Sequence, residues 1–93
     1  MLQEDSNKLS NKAHDLRRAI DSLKEELEAI NFYTQRAELC KDSDLKKILL
    51  HNSKEEKEHA AILIEWIRQH DDEFAHEMDD YFKSEKGNII KEH

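Results

Sequence analysis

The chain has 93 residues, of which 40% are charged and 37% are hydrophobic, and its formal net charge is −7 at pH 7. This negative charge repels nucleic acid phosphates, and no apolar run approaches the ~20 residues that cross a bilayer. We therefore expect neither nucleic acid nor a membrane as a partner. A single cysteine, Cys40, excludes an intramolecular disulfide and favours a reducing, cytoplasmic setting.

The turn-forming residues are few. With no proline and one glycine, the sequence favours long helices joined by short breaks. We expect one all-α domain over residues 1–93, with residues 1–7 and 87–93 flexible. A chain of this size buries only a small core by itself, so its helices are expected to need a partner surface.

The first predicted helix is capped by Ser6 or Ser10 and continues to about Leu39. Its apolar residues recur in alternating steps of four and three over three heptad-like repeats. That pattern is typical of antiparallel or oligomeric helix packing. The residues that form this seam are Leu9, Ala13, Leu16, Ile20, Leu23, Leu27 and Ile30.

The second predicted helix runs from about Asp44 to His70, after a break and cap in residues 42–44. Two long helices joined by a short loop form an antiparallel hairpin, and a lone hairpin leaves a long apolar stripe exposed. A second copy of the chain is the simplest surface that could bury this stripe. The expected architecture is therefore a four-helix bundle with two-fold symmetry, built from two hairpins.

A third, shorter helix is predicted from Glu73 to about Ser84, with Gly87 ending it. This segment contains a bare Glu-x-x-His pattern at Glu73 and His76. Because the short helix has no inward carboxylate from a long neighbour beside it, we interpret that pattern as surface.

A second Glu-x-x-His pattern, formed by Glu56 and His59, lies in the middle of the long second helix. The i, i+3 spacing brings the two side chains together, and Glu56 falls near the centre of the apolar stripe. A charged group that points into a helix-packing core needs a partner. A metal ion is the obvious one, since an inward Glu-x-x-His is half of the di-iron carboxylate pattern of helix bundles. The stripe consists of Leu45, Ile48, Leu49, Ala60, Leu63 and Ile67.

The first helix supplies one matching carboxylate. Glu26 flanks the apolar seam, in line with Ala19 and Tyr33 at seven-residue steps, whereas Glu25 and Glu28 point away from it. One inward Glu and one Glu-x-x-His make half of a di-iron site, which a two-fold axis would complete. Carboxylate oxygens and imidazole nitrogen suit iron, and six such ligands leave positions open for dioxygen or peroxide.

Other interpretations stay open on the residues alone. A Glu-x-x-His pair arises by chance in a chain with 22 acids and six histidines, which suits a structural helical module or adaptor. A non-catalytic metal buffer is a second alternative. A rubrerythrin-like di-iron peroxidase is a third, although it normally carries both half-sites in one longer chain. By position, Phe32 and Tyr33 suit core or interface aromatics better than redox partners, which remain the alternative.

Two stretches carry a family resemblance. EELEAINFYTQR at residues 25–36 and HNSKEEKEHAA at residues 51–61 resemble the encapsulated ferritins, and the similarity covers roughly residues 15–83. The resemblance implies a ferritin-like four-helix bundle made by two short chains. It further implies a ferroxidase centre with two iron ions at the dimer interface, where Glu26, Glu56 and His59 of both chains are the ligands.

The same resemblance implies an assembly and a location. Dimers are expected to form a ring of ten chains, carried as cargo in the lumen of an encapsulin shell in the cytoplasm. Glu25 and Glu28 fall where the family has acidic residues that attract or stage incoming metal, and Tyr33 falls beside the centre. Phe32 stands where the family usually has tryptophan, a change in packing but not in ligation.

Overall fold

The computed structural model describes residues 3–90, and within that range it contains three α-helices and no strand. Helix α1 spans Asn11–Leu39, α2 spans Ser43–His70 and α3 spans Asp72–Tyr81, with a short 3-10 turn at Ser6–Lys8. The expected all-α class, two long helices followed by a short one, is confirmed. None of these helices has the length and apolar character needed to cross a membrane.

Side-chain caps set the beginnings of the three helices. Ser10, Asp42 and Asp71 each accept a hydrogen bond from the backbone N–H three residues further on, at 3.1, 2.8 and 2.9 Å. Asp71 also ends α2, because its own N–H donates to the Ile67 carbonyl oxygen at 2.9 Å. One residue therefore separates α2 from α3, a tighter break than the sequence predicts.

The end of α3 differs from the prediction. The helix ends at Tyr81 and not near Ser84, and Gly87 is not the residue that stops it. Lys83 adopts a left-handed φ of 64°, just beyond the helix, while Gly87, with φ 89°, lies in a separate turn. Rules that assign the left-handed position after a helix to glycine missed a lysine in that role.

Helices α1 and α2 form an antiparallel hairpin. Contacts pair Glu26 with His59 and Thr34 with Ser53, so residue numbers rise along one helix as they fall along the other. The radius of gyration is 17.1 Å, against about 12 Å for a compact chain of this length. The molecule is an elongated hairpin with α3 packed against one end of α2.

The buried core lies at the α3 end of the hairpin, where Ala19, Ile67 and Met78 cluster. Partly buried side chains surround it: Leu16, Leu23, Ile64 and Trp66. Further along, the helices bury mainly small residues against each other, namely Ala37, Ser53 and Ala60. Small side chains let α1 and α2 approach closely between the core and the loop.

Part of the predicted apolar seam on α1, and part of the apolar stripe on α2, remains uncovered in the single chain. Leu27 is 52% exposed, and Ile20, Leu45 and Ile48 are also exposed. The hairpin therefore buries one side of α1 and leaves an adjoining apolar strip open. The ends predicted to be flexible are residues 1–7 and 87–93, and of these residues 1, 2 and 91–93 lie outside the range that the structure describes.

Candidate metal centre

Three potential metal ligands converge where α1 and α2 face each other. His59 Nδ1 lies 3.5 Å from Glu26 Oε2 and 3.4 Å from Glu56 Oε2. One ligand atom from each residue can be chosen so that all three lie within 4.8 Å of one another. The structure thus brings together the three residues that were selected as inward-facing ligands.

Two levels of structure produce this convergence. Glu56 and His59 are neighbours through the local geometry of α2, where residues at i and i+3 share a face. Glu26 joins them only through the antiparallel packing of α1 on α2. Both glutamate side chains are largely covered, at 25% and 23% exposure, whereas His59 is 49% exposed. The cluster is open on its histidine side.

One oxygen of the Glu26 carboxylate lacks a close hydrogen-bond partner among the described residues. This Oε2 atom is buried and accepts no hydrogen bond within the described part of the chain. The His59 nitrogen, 3.5 Å away, is beyond the range of a good N–H···O bond. Buried carboxylate oxygens in folded proteins are normally paired with a donor or a metal. A cation between the three side chains would supply that missing partner.

The donor set suits iron. Two carboxylates and one imidazole combine hard oxygen ligands with a nitrogen ligand, the set used in di-iron bundles. With His59 neutral, the cluster carries two negative charges, which attract a divalent cation. Three protein ligands leave positions to be filled by water or a second chain, and the exposed His59 side is where they are available.

Tyr33 lies apart from this cluster in the single chain. It follows Glu26 by seven residues, or two turns of α1, which is about 10 Å along the helix axis. Its ring is partly buried, and the Arg36 guanidinium carbon lies 5.7 Å from the ring centroid. The same guanidinium lies 5.7 Å from the Phe32 ring. These three side chains form a separate aromatic and cationic group on α1.

Glu25 and Glu28 are also outside the cluster. Both are exposed and line a shallow hollow on the surface of α1, together with Asp21 and Lys24. Their exposure agrees with the outward orientation expected from their positions. Their part in metal entry stays a prediction.

The Glu-x-x-His pattern of α3 lies on the surface. Glu73 and His76 are both exposed on α3, and His76 Nε2 is 3.7 Å from the Asp80 carboxylate. No ligand group of three converges there among the residues described. This placement agrees with its interpretation as a surface pattern.

One contact near the centre is absent from the sequence predictions. The Thr34 and Ser53 hydroxyls lie 3.2 Å apart, bridging α1 and α2, and Ser53 is buried. The spacing of Ser53, three residues before Glu56, places it on the inward face of α2. Nothing in the sequence indicates that Thr34 faces it, because that depends on the register between the helices.

The hairpin of two long helices and its carboxylate–histidine cluster define a protein of the ferritin-like class. More particularly, residues 1–85 match the family model described as EncFtn-like, and the chain belongs to this encapsulated ferritin family. It is 47% identical over 68 residues to an "Encapsulated ferritin-like protein" of Rhodospirillum rubrum, which covers 73% of this chain and 49% of that protein.

Two further comparisons agree. The chain is 50% identical over 66 residues to a "Ferritin-like protein" of Thermotoga maritima, covering 71% of this chain and 58% of that one. It thus spans about half the length of these two relatives. The crystal structure of protein ne0167 from Nitrosomonas europaea superimposes with a TM-score of 0.89 at 49% identity, covering 96% of this chain and 98% of that one.

Proposed function

We propose that this protein is a ferroxidase, which oxidises Fe²⁺ to Fe³⁺ at a di-iron centre formed between two chains. Family membership supports a ferritin-like role in iron handling. The observation that supports the proposal is the buried Glu26 oxygen, which accepts no hydrogen bond from any residue in the described range 3–90 and lies beside Glu56 and His59. A buried anion in that position is explained by a cationic substrate.

Each chain contributes half of the ligands. The Glu26 and Glu56 carboxylates are placed to bind and bridge the substrate ions, and His59 supplies a terminal nitrogen. A second chain that covers the open strip around Leu27 also closes the exposed side of His59. Two half-sites related by a two-fold axis then give the four carboxylates and two imidazoles of a di-iron bundle.

The overall reaction is a one-electron oxidation of each iron. Two Fe²⁺ ions give one electron each to dioxygen, which takes up two protons and becomes hydrogen peroxide. With peroxide as the oxidant, the same two electrons and two protons yield two water molecules. The chain's part is to hold two ions together, so that the oxidant receives a pair of electrons.

We further propose an assembly and a cellular location for the protein. Dimers form a ring of ten chains inside an encapsulin shell in the cytoplasm, where the Fe³⁺ product is stored. The relative from Rhodospirillum rubrum, named as encapsulated, supports this location. Glu25 and Glu28 stage incoming Fe²⁺ on the surface of α1, and Tyr33 acts beside the completed centre.

Aerobic Fe²⁺ oxidation, followed by the absorbance of the Fe³⁺ product, tests the proposal. The Glu56→Ala variant removes a proposed ligand and is expected to lose fast oxidation, so that its rate falls to the background rate of Fe²⁺ in air. Glu58→Ala is the matched control, because Glu58 is an exposed glutamate on the same helix. Circular dichroism establishes that both variants keep their helices.

The alternatives give different results. Equal, background rates for the wild-type protein and Glu56→Ala would remove the enzyme and leave a metal buffer or a structural module. Rapid oxidation by hydrogen peroxide under nitrogen, without oxidation by dioxygen, would favour a rubrerythrin-like peroxidase. Fast aerobic oxidation that only Glu56→Ala abolishes supports the ferroxidase.

A further inference from the structure

The Thr34 and Ser53 side chains make a direct link between the two long helices. Their hydroxyl oxygens are 3.2 Å apart, within hydrogen-bonding distance, and either can donate. Ser53 is only 3% exposed whereas Thr34 is exposed, so the bond gives the buried Ser53 hydroxyl a protein partner at the edge of the helix contact. Buried hydroxyl groups that find a partner in the protein hold its two elements in a defined relation.

This link lies on the loop side of the candidate metal centre. Ser53 is one turn before Glu56 on the same face of α2, and Thr34 is about 12 Å beyond Glu26 along α1. The apolar core around Ala19 lies on the opposite side, about 10 Å before Glu26. The half-site is therefore bracketed by an apolar cluster at one end and a hydrogen bond at the other.

The two anchors constrain the helices differently. Apolar burial is non-directional, so by itself it does not fix how far α1 is shifted along α2. Between the helices, the small buried side chains of Ala37 and Ala60 also present little obstacle to such a shift. A slide of one residue is about 1.5 Å, whereas metal–ligand distances hold to within about 0.2 Å. A directional bond near the centre is what can restrict such a slide.

We propose that the Thr34–Ser53 hydrogen bond is a positioning device, which sets the register that brings Glu26 to Glu56 and His59. This role rests on the proposed function, since it acts through the metal ligands. The role is indirect, because the three ligand groups of the cluster belong to Glu26, Glu56 and His59. Their effect is on how closely the ligand set of the free protein matches the bound geometry.

Co²⁺ titration tests this role without turnover, because Co²⁺ reports its coordination through visible absorption and is not oxidised under these conditions. Ser53→Ala and Thr34→Val are each expected to raise the Kd for Co²⁺ about tenfold. The double variant should be no weaker than either single one, because both remove the same bond. Thr34→Ser keeps the hydroxyl and should retain wild-type affinity.

A stability control separates positioning from simple loss of fold. Ser10→Ala removes the α1 cap, far from the centre, and is expected to lower the melting temperature while leaving the Kd unchanged. If Ser10→Ala weakens Co²⁺ binding as much as Ser53→Ala does, affinity follows global stability and the inference is overturned.

The remaining outcomes are also decisive. Equal Kd values for wild type and Ser53→Ala overturn the inference and leave the proposed function standing. Absence of Co²⁺ binding by the wild-type protein overturns both. Should Ser53→Ala not fold, the comparison of Thr34→Val with Thr34→Ser carries the test, and equal affinities of that pair overturn the positioning role.

Discussion

The Glu26 carboxylate on α1 lies 3.5 Å from the His59 imidazole on α2, although the two helices are joined only through the loop before Ser43. At this distance the contact is neither a good hydrogen bond nor a tight ion pair. Because His59 is half-exposed, an ion pair alone would contribute little to stability. Under the proposed function, Glu26 and His59 are the two sides of a metal-binding cleft between α1 and α2.

Metal binding is expected to drive assembly. If the ligands of two chains converge only in the dimer, Fe²⁺ under nitrogen binds the assembled state in preference to the single chain. Light scattering at low protein concentration should then show a higher mean mass with Fe²⁺ than without it. His59→Ala is the control and should show no metal-dependent change. An identical mass for the wild-type protein in both conditions would count against the shared site.

Glu25 and Glu28 are expected to affect iron capture and not the chemical step. Both are exposed outside the ligand cluster, so the double variant Glu25→Gln/Glu28→Gln loses surface attraction for Fe²⁺ but keeps the centre. The Fe²⁺ concentration for half-maximal rate should rise severalfold at low ionic strength, with kcat unchanged. Glu38→Gln, an exposed site on the same helix, should have no effect. A fall in kcat would show that the pair acts within the centre.

Tyr33 offers a test of the two-chain geometry. It is about 10 Å from Glu26 along α1, and the proposed function places it beside the centre that two chains complete. Tyr33→Phe keeps the ring and is expected to slow Fe²⁺ oxidation about tenfold without weakening Co²⁺ binding. Tyr81→Phe, on α3, is the control. Unchanged rates for Tyr33→Phe would place Tyr33 among the packing aromatics.

The parts of this fold that the sequence predicts are those set by residues close together along the chain. Capping side chains at Ser10 and Asp42, a chain without proline, and helical periodicity determine two long helices in a hairpin. The proximity of Glu56 to His59 needs only the geometry of one helix. The inward position of Glu26 follows from its place beside the apolar seam.

The unpredicted features depend on tertiary structure. The Thr34–Ser53 contact requires the register between two helices, which a pattern along one helix does not contain. The exposure of Leu27 depends on which parts of the seam α2 covers and which are left for another surface. The end of α3 rests on Lys83 adopting a conformation that glycine normally takes.

The acid sensitivity of α2 should depend on Glu65. Arg68 donates two hydrogen bonds to its carboxylate, at 2.6 and 2.7 Å, and Gln69 donates a third at 2.8 Å. The bonds from Arg68, followed by that from Gln69, lower the pKa of Glu65 from 4.5 to about 2. Its ionised form is therefore favoured in the folded chain over the unfolded one.

A lowered carboxyl pKa stabilises the fold above the unfolded value, and this contribution declines as pH falls from about 4.5 towards about 2. Glu65→Gln should thus lower the melting temperature at pH 7, and its difference from the wild-type protein should shrink steadily below pH 4.5. The effect at pH 7 will be small, because the pair is exposed and screened. Glu58→Gln serves as the control in thermal unfolding measured across that range. A difference that is constant with pH, or a Glu65 carboxyl that titrates near 4.5 by NMR, would contradict the role of these hydrogen bonds.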